Sequence, residues 1–267
     1  MTIENLASLS GVSSFSRTTP TKRVALFAAT LWEMEAVRVA LAADTHQCLD
    51  GTIARIARIG CREYWLAQTG IGPEKARRAA ARLLAYLPFS LAISTGFACA
   101  LIPTTVGALL LGRDVLGQGK RGSGEMPLEV PGEERETVIQ LATESGDAAH
   151  VGRFVSTERV ISSAVDKRRL ADETGAIGLD MESAALADEA HRAQVPFVIV
   201  RTVSDLVDED LPVDFDLFLR PSGWLKGVAS VMGRPARVAE LWRLRRQSRT
   251  AADNLTRFFR RYVASDG

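Results

Sequence analysis

The chain has 267 residues, 46% hydrophobic and 24% charged, which is the composition of a folded globular protein and excludes collagen-like, disulfide-dense and wholly disordered classes. A net charge of +1 points to no nucleic-acid partner, but the balance is uneven: residues 220–267 hold 11 Lys+Arg against 3 Asp+Glu, or +8, which leaves −7 for residues 1–219. The body is acidic and the tail is basic.

Residues 1–22 (MTIENLASLSGVSSFSRTTPTK) have no basic n-region and no apolar h-region, so they read as a polar, disordered leader. Cys48, Cys61 and Cys99 form no C-x-x-C pair and read as reduced thiols of a cytoplasmic protein. VALFAAT (24–30) predicts a buried strand, and the following LWEMEAVRVALAA predicts a helix with Leu31, Met34, Val37 and Leu41 on its apolar positions. Strands are expected at 52–59 and 62–70, then a helix over 73–87 with Pro73 in its first turn. Residues 83–112 carry no charge and are long enough to cross a bilayer, but Pro88, Gly96, Pro103 and Gly107 break the run. Two buried strands, 91–95 and 107–111, are the expectation instead. The Gly/Pro-rich segment 117–134 predicts a mobile loop. A helix near 133–145, a strand at 150–155, a helix ending at Gly175, a strand at 176–180, a helix over 181–193 and a strong strand at 195–204 complete an α/β pattern with one sheet covered on both faces.

Beyond Leu211 the texture is helical and basic. Residues 250–263 place Ala251, Leu255, Phe258 and Tyr262 on one face of an amphipathic helix. Such a helix either docks on the acidic body or touches a lipid surface.

Common catalytic signatures are missing from the sequence. TGIGPEKA (69–76) has Lys75 where a dinucleotide fingerprint needs its third glycine, no Walker A or G-x-S-x-G occurs, and His46, His150 and His191 have no metal-ligand spacing. No metal and no cofactor is therefore called for. Five polar segments remain at strand ends: Glu33 and Glu35, the glycine turn 70–72, STGFACA (94–100), Asp180–Ser183, and Arg201–Asp205. In open α/β sheets ligands gather at the carboxyl ends of strands, so these segments are expected to converge. Carboxylates with small-residue backbone suit proton transfer and sugar-hydroxyl binding.

The ordered set AATLWEMEAV, TGIGPEKA, STGFACAL, VSTERVISS, LDMESAAL and VPFVIVRTVSD resembles the purine nucleoside phosphorylase and nucleosidase superfamily over roughly residues 23–215. Within it the chain is most similar to the methylthioadenosine/S-adenosylhomocysteine nucleosidase branch and its hopanoid-associated relatives. The resemblance implies a three-layer αβα sandwich around a mixed, partly barrel-like sheet over 23–219, with 220–267 as a basic helical extension. It implies a purine nucleoside as substrate, water or phosphate as co-substrate, and a homo-oligomer. By the same resemblance Asp205, after Ser204, is the acid that protonates N7 of a departing purine, and Glu182 accepts hydrogen bonds from ribose hydroxyls while Met181 packs beneath the sugar. Glu33 orients or deprotonates the attacking water, Gly96, Phe97 and Ala98 line the pocket, and Val160 and Ile161 flank the base. Each carboxylate also has a structural reading: Asp205 as a helix N-cap, Glu182 as a first-turn acid, and Glu33 as a solvated side chain with Glu35 its rival.

The sequence departs from the family pattern at FACA, where Cys99 and Ala100 stand in place of glycines, at Ala108, and in a short 113–150 segment. These changes bear on the substrate more than on the reaction. The first loop offers glutamates and no Arg or Lys, which favours hydrolysis over phosphorolysis, with Arg201 the remaining candidate anion ligand. A nucleoside-binding protein without catalysis is the alternative from another class. The hopanoid-associated likeness implies an adenosyl group on a polycyclic lipid (adenosylhopane) and peripheral contact with the inner membrane surface, for which 234–263 offers Trp242, Phe258, Phe259 and Tyr262 among nine arginines.

Overall fold

The computed structural model describes residues 22–49, 51–118, 124–127, 133–144, 148–211 and 235–265. The leader, most of the 117–134 loop and the segment 212–234 lie outside the described residues. The chain alternates β1 (Lys22–Ala28), α1 (Leu31–Leu41), β2 (Thr45–Leu49), β3 (Thr52–Ile59), β4 (Arg62–Gln68), α2 (Pro73–Tyr86), β5 (Leu91–Ala100), β6 (Leu109–Gln118), β7 (Gly124–Pro127), α3 (Glu133–Glu144), β8 (Ala149–Thr157), α4 (Ala164–Thr174), β9 (Gly178–Asp180), α5 (Ser183–Arg192), β10 (Phe197–Asp205) and α6 (Pro235–Ala264). The uncharged stretch is the two-strand arrangement expected, and no helix among the described residues is long and apolar enough to cross a membrane.

β5 organises the sheet. One of its edges pairs in parallel with β10 from Ala92 to Cys99. Its other edge is shared: β1 pairs with Leu91–Thr95, and β9 pairs antiparallel with Cys99 and Ala100. From β10 the sheet continues through β6 and β8 to β9, so five strands close on themselves, while β1, β4, β3 and β2 extend away as an open flank. The closed part is a small barrel and the open part is a twisted sheet. β6, β8 and β9 run opposite to β5 and β10. Four of the site segments lie at the carboxyl ends of the mutually parallel strands β1, β4, β5 and β10, as expected from the sequence; the fifth, Asp180–Ser183, follows the oppositely directed β9 and joins them because the sheet closes.

Helices cover both faces. α2 and α5 pack one apolar cluster around Phe27, Trp65 and Phe197, and α1, α3 and α6 pack the other around Leu26, Leu66 and Ile93. Strand and helix boundaries moved where context overrode local texture. β5 runs through STGFACA to Ala100, because Ser94, Thr95 and the small residues after them are buried between two partners. β6 extends to Gln118 and β7 pairs with it inside the segment expected to be loop. β2 went unpredicted: its THQCL pattern is mostly exposed and becomes a strand only through its ladder with β3.

α6 is one 30-residue helix rather than the 250–263 segment alone. Its face of Ala251, Leu255, Phe258, Phe259 and Tyr262 is buried to within 1% exposure. Each large side chain there contributes about 2 kcal/mol by leaving water. Asn254 donates to the Gly107 carbonyl at 2.9 Å and Thr256 to that of Ala36 at 2.8 Å. The amphipathic face predicted from the sequence thus docks on the body by apolar burial, with Arg243 also 4.0 Å from Glu209.

Candidate active site

Between the end of the β1 ladder and the start of the β9 ladder, Phe97 and Ala98 have no strand partner on that edge of β5. A cavity of about 200 Å³ opens at this gap. Glu33 fills the missing backbone position: its Oε1 accepts from the Phe97 N–H at 2.8 Å. Its Oε2 accepts from the Thr30 N–H at 2.7 Å and hydroxyl at 2.8 Å, completing a capping box at the start of α1. A helix cap is thereby also a cavity wall, with Glu33 buried rather than solvated. Glu35 points away, exposed and paired with Arg38, so it is no rival for the cavity.

Gly96 does not line the cavity. It lies behind it with φ +137°, and a Cβ there would stand 2.6 Å from the Glu33 carboxyl carbon and 2.8 Å from Arg201 Nη1. Only glycine leaves the room in which those two side chains meet.

The β9–α5 turn supplies Met181 and Glu182, both on the cavity wall. Glu182 sits at the helix N-cap but does not cap its own helix. It accepts instead from the Gly72 N–H at 2.8 Å, which draws in the glycine turn before α2. Asp180 does the local capping, accepting from the Ser183 N–H and hydroxyl. Arg201, 1% exposed, ties the cluster together: Nη2 lies 3.0 Å from Asp180 and 3.7 Å from Glu182, and Nη1 3.7 Å from Glu33. Burial pulls its guanidinium down, and the Asp180, Glu182 and Glu33 charges more than restore it. An arginine so committed is no free anion ligand. For Glu182, burial dominates and pushes the carboxyl up to about 7, with Asp180 and Glu33 adding and Arg201 and the Gly72 N–H opposing.

Ser204 and Asp205 end β10 and close the opposite wall, with Val160 and Ile161 beside them in the turn after β8. Asp205 caps no helix among the described residues. Its Oδ1 accepts from the Ser204 hydroxyl at 3.0 Å, and its Oδ2 meets Lys167 Nζ at 2.8 Å. Cys99 packs against Leu170 and Leu179, and burial raises its thiol well above the ordinary range. Nine of the ten residues predicted from the sequence share this one cavity. Lys167 and Arg159 were missed: a lysine four residues into a charged helix and an arginine in a turn look like surface residues until the chain folds. No cluster of three His, Cys, Asp or Glu side chains among the described residues is arranged to hold a metal ion.

A sequence model of the phosphorylase superfamily matches residues 23–220. The chain belongs to that superfamily. It is similar to the 5′-methylthioadenosine/S-adenosylhomocysteine nucleosidase of Staphylococcus haemolyticus, 28% identical over 176 residues that cover 61% of this chain and 77% of that one. Among solved structures, this superfamily member superposes on the Neisseria meningitidis 5′-methylthioadenosine/S-adenosylhomocysteine nucleosidase in complex with methylthio-immucillin-A at a TM-score of 0.67, 22% identity, and coverage of 90% and 99%. It superposes on a futalosine hydrolase mutant of Helicobacter pylori at 0.64, 17% identity, and coverage of 78% and 99%. The superfamily's three-layer fold is thus the fold of this chain.

Proposed function

We propose that this chain hydrolyses the N-glycosidic bond of an adenine nucleoside modified at its 5′ position. The observation that carries the reading is one cavity walled by Glu33, Glu182 and Asp205. In the proposed reaction Asp205 gives a proton to N7, the N9–C1′ bond breaks with its electron pair left on the purine, and water adds to C1′ with Glu33 taking its proton. Glu182 holds the ribose hydroxyls above Met181 and faces the positive charge that develops at the sugar. Water, rather than phosphate, is favoured as the nucleophile by the distribution of cations. Among the described residues the cavity wall has one, Arg159, which belongs to the turn after β8 and not to the elements that hold Glu33. Similarity to nucleosidases supports the same direction.

A nucleoside panel with and without phosphate, with the sugar product weighed, tests the reading. Adenine release in phosphate-free buffer with a free sugar is expected. Sugar 1-phosphate as product, with no reaction until phosphate is added, would replace hydrolysis by phosphorolysis; ligand binding without base release would leave a binding protein.

The panel includes an adenosyl group carried on a polycyclic lipid. Trp32 and Trp242 are 53% and 65% exposed, and Trp32 shares a groove between α1 and α6 with Arg245, Arg249 and Arg260. Aromatic rings among arginines favour contact with an anionic lipid surface, at about 1 kcal/mol for each arginine near the surface. Salt-sensitive co-sedimentation with anionic vesicles, lost on Trp32→Ser with Arg245→Ala and Arg249→Ala, is the expected result.

A further inference from the structure

Lys167 lies in the first turn of α4, where a cation opposes the helix dipole, and its side chain is wholly buried. Burying an ammonium is costly unless it is paired and fully hydrogen-bonded. Here both conditions hold. Nζ donates to Asp205 Oδ2 at 2.8 Å, to the Glu209 carbonyl at 2.9 Å and to the Leu206 carbonyl at 3.3 Å, using all three of its protons. Burial pulls its pKa down, but the Asp205 charge prevails and the ammonium stays charged. A structural brace between α4 and the loop after β10 needs no such group, since the same two pieces are already joined by the Ala164 N–H to Asp210 at 2.7 Å and the Leu211 N–H to the Ser162 carbonyl at 2.9 Å. A local preference broken at a cost, in contact with a cavity carboxylate, marks function rather than folding.

We infer that Lys167 is the positioning residue for Asp205: it engages Oδ2 so that Oδ1 meets the purine, and its ammonium faces the carboxylate left behind when the proton has gone to N7. The inference rests on the nucleosidase reading and names the part of the site that activates the leaving group. With Oδ2 engaged by Lys167 and Oδ1 by the Ser204 hydroxyl, the carboxyl has one orientation in the cavity. Asp205, ionised beside Lys167 at rest, takes a proton from solvent and passes it to N7 as N9–C1′ breaks; the carboxylate that returns lies 2.8 Å from a fixed positive charge, which requires no reorganisation when the proton moves. No oxidant, metal or further reactant enters the step. The role of Lys167 is therefore confined to substrates whose leaving group must be protonated.

That restriction supplies the test. Wild type, Lys167→Met, Lys167→Arg and Asp210→Ala are assayed on a 5′-modified adenine nucleoside and on 4-nitrophenyl riboside, whose nitrophenolate departs without a proton. Lys167→Met is expected to lose about 10²-fold in kcat on the nucleoside, with KM changed far less, and at least about tenfold less than that on the nitrophenyl riboside. Lys167→Arg keeps the charge and is expected to recover most of the nucleoside rate; it also stands in if the methionine variant does not fold. Asp210→Ala loosens the same loop while leaving Lys167 and Asp205 in contact, and is expected to affect the two substrates by equal factors. Equal losses on both substrates in Lys167→Met, or unequal ones in Asp210→Ala, would make Lys167 a brace and overturn the inference while the nucleosidase reading stands. If Lys167→Met does not fold, a Lys167→Arg enzyme that loses about tenfold or more, and by the same factor on both substrates, overturns it in the same way. Wild-type protein that cleaves neither substrate would overturn both.

Discussion

Glu182 should make the protein less stable as pH rises, and its replacement by glutamine should remove that dependence. In the folded chain burial holds its carboxyl at about 7, against an ordinary 4.5. Between those two values the native state keeps a proton that the unfolded chain has released, so stability falls with rising pH. Integrating the two titrations, the group costs roughly 1 kcal/mol at pH 5 and roughly 3 at pH 8, a loss of about 2 kcal/mol across the window. Glu182→Gln keeps an acceptor for the Gly72 N–H, and Arg201 keeps Asp180 and Glu33. The variant should therefore gain about 2 kcal/mol relative to wild type on going from pH 5 to pH 8. Urea unfolding of both proteins at the two pH values measures this directly. An equal difference in stability at pH 5 and pH 8 would refute the reasoning. The same residue should give the kcat/KM profile of the wild type an acid limb centred near pH 7, because the ionised carboxylate is the better acceptor for ribose hydroxyls.

Asp205→Asn should lower turnover on an adenine nucleoside by about 10²-fold or more with the circular-dichroism spectrum unchanged, and near-normal rates would move the acid elsewhere. Gly96→Ala should cost on the order of 3 kcal/mol and abolish activity, because a side chain at φ +137° strains the backbone and separates Glu33 from Arg201; thermal melting and the base-release assay check it. Phe258→Ala should cost about 3–5 kcal/mol in urea unfolding, since the ring is 1% exposed in the core that α6 completes. Because that docking is apolar, raising the salt concentration should leave the melting temperature nearly unchanged, whereas a charge-held helix would loosen.

The candidate carboxylates were readable because each sits in a short polar run where an apolar strand stops. Asp205 follows a long apolar strand, and Glu182 stands between a strand and a helix. Glu33 was ambiguous with Glu35, since both are acids near the start of one helix. Their difference is a rotation of about 200° around the helix, which turns one into the cavity and the other to solvent. Gly96 lies behind the cavity, where its contribution is room, and a missing side chain leaves no trace in a sequence of what occupies its space.

The α/β alternation, the amphipathic face of α6 and the polar segments at strand ends are local properties, set by periodicity and by where apolar runs stop, and the sequence alone determined them. The partners of those segments were decided by tertiary structure. β5 divides one edge between β1 and β9, and the three residues between the two ladders, Gly96, Phe97 and Ala98, make the gap that Glu33 fills. Lys167 reaches Asp205 across 38 residues, and Arg201 gathers three carboxylates from three elements. Whether a buried charge is a cost or a catalytic asset depends on the charges facing it in space, and those distances exist only once the barrel has closed.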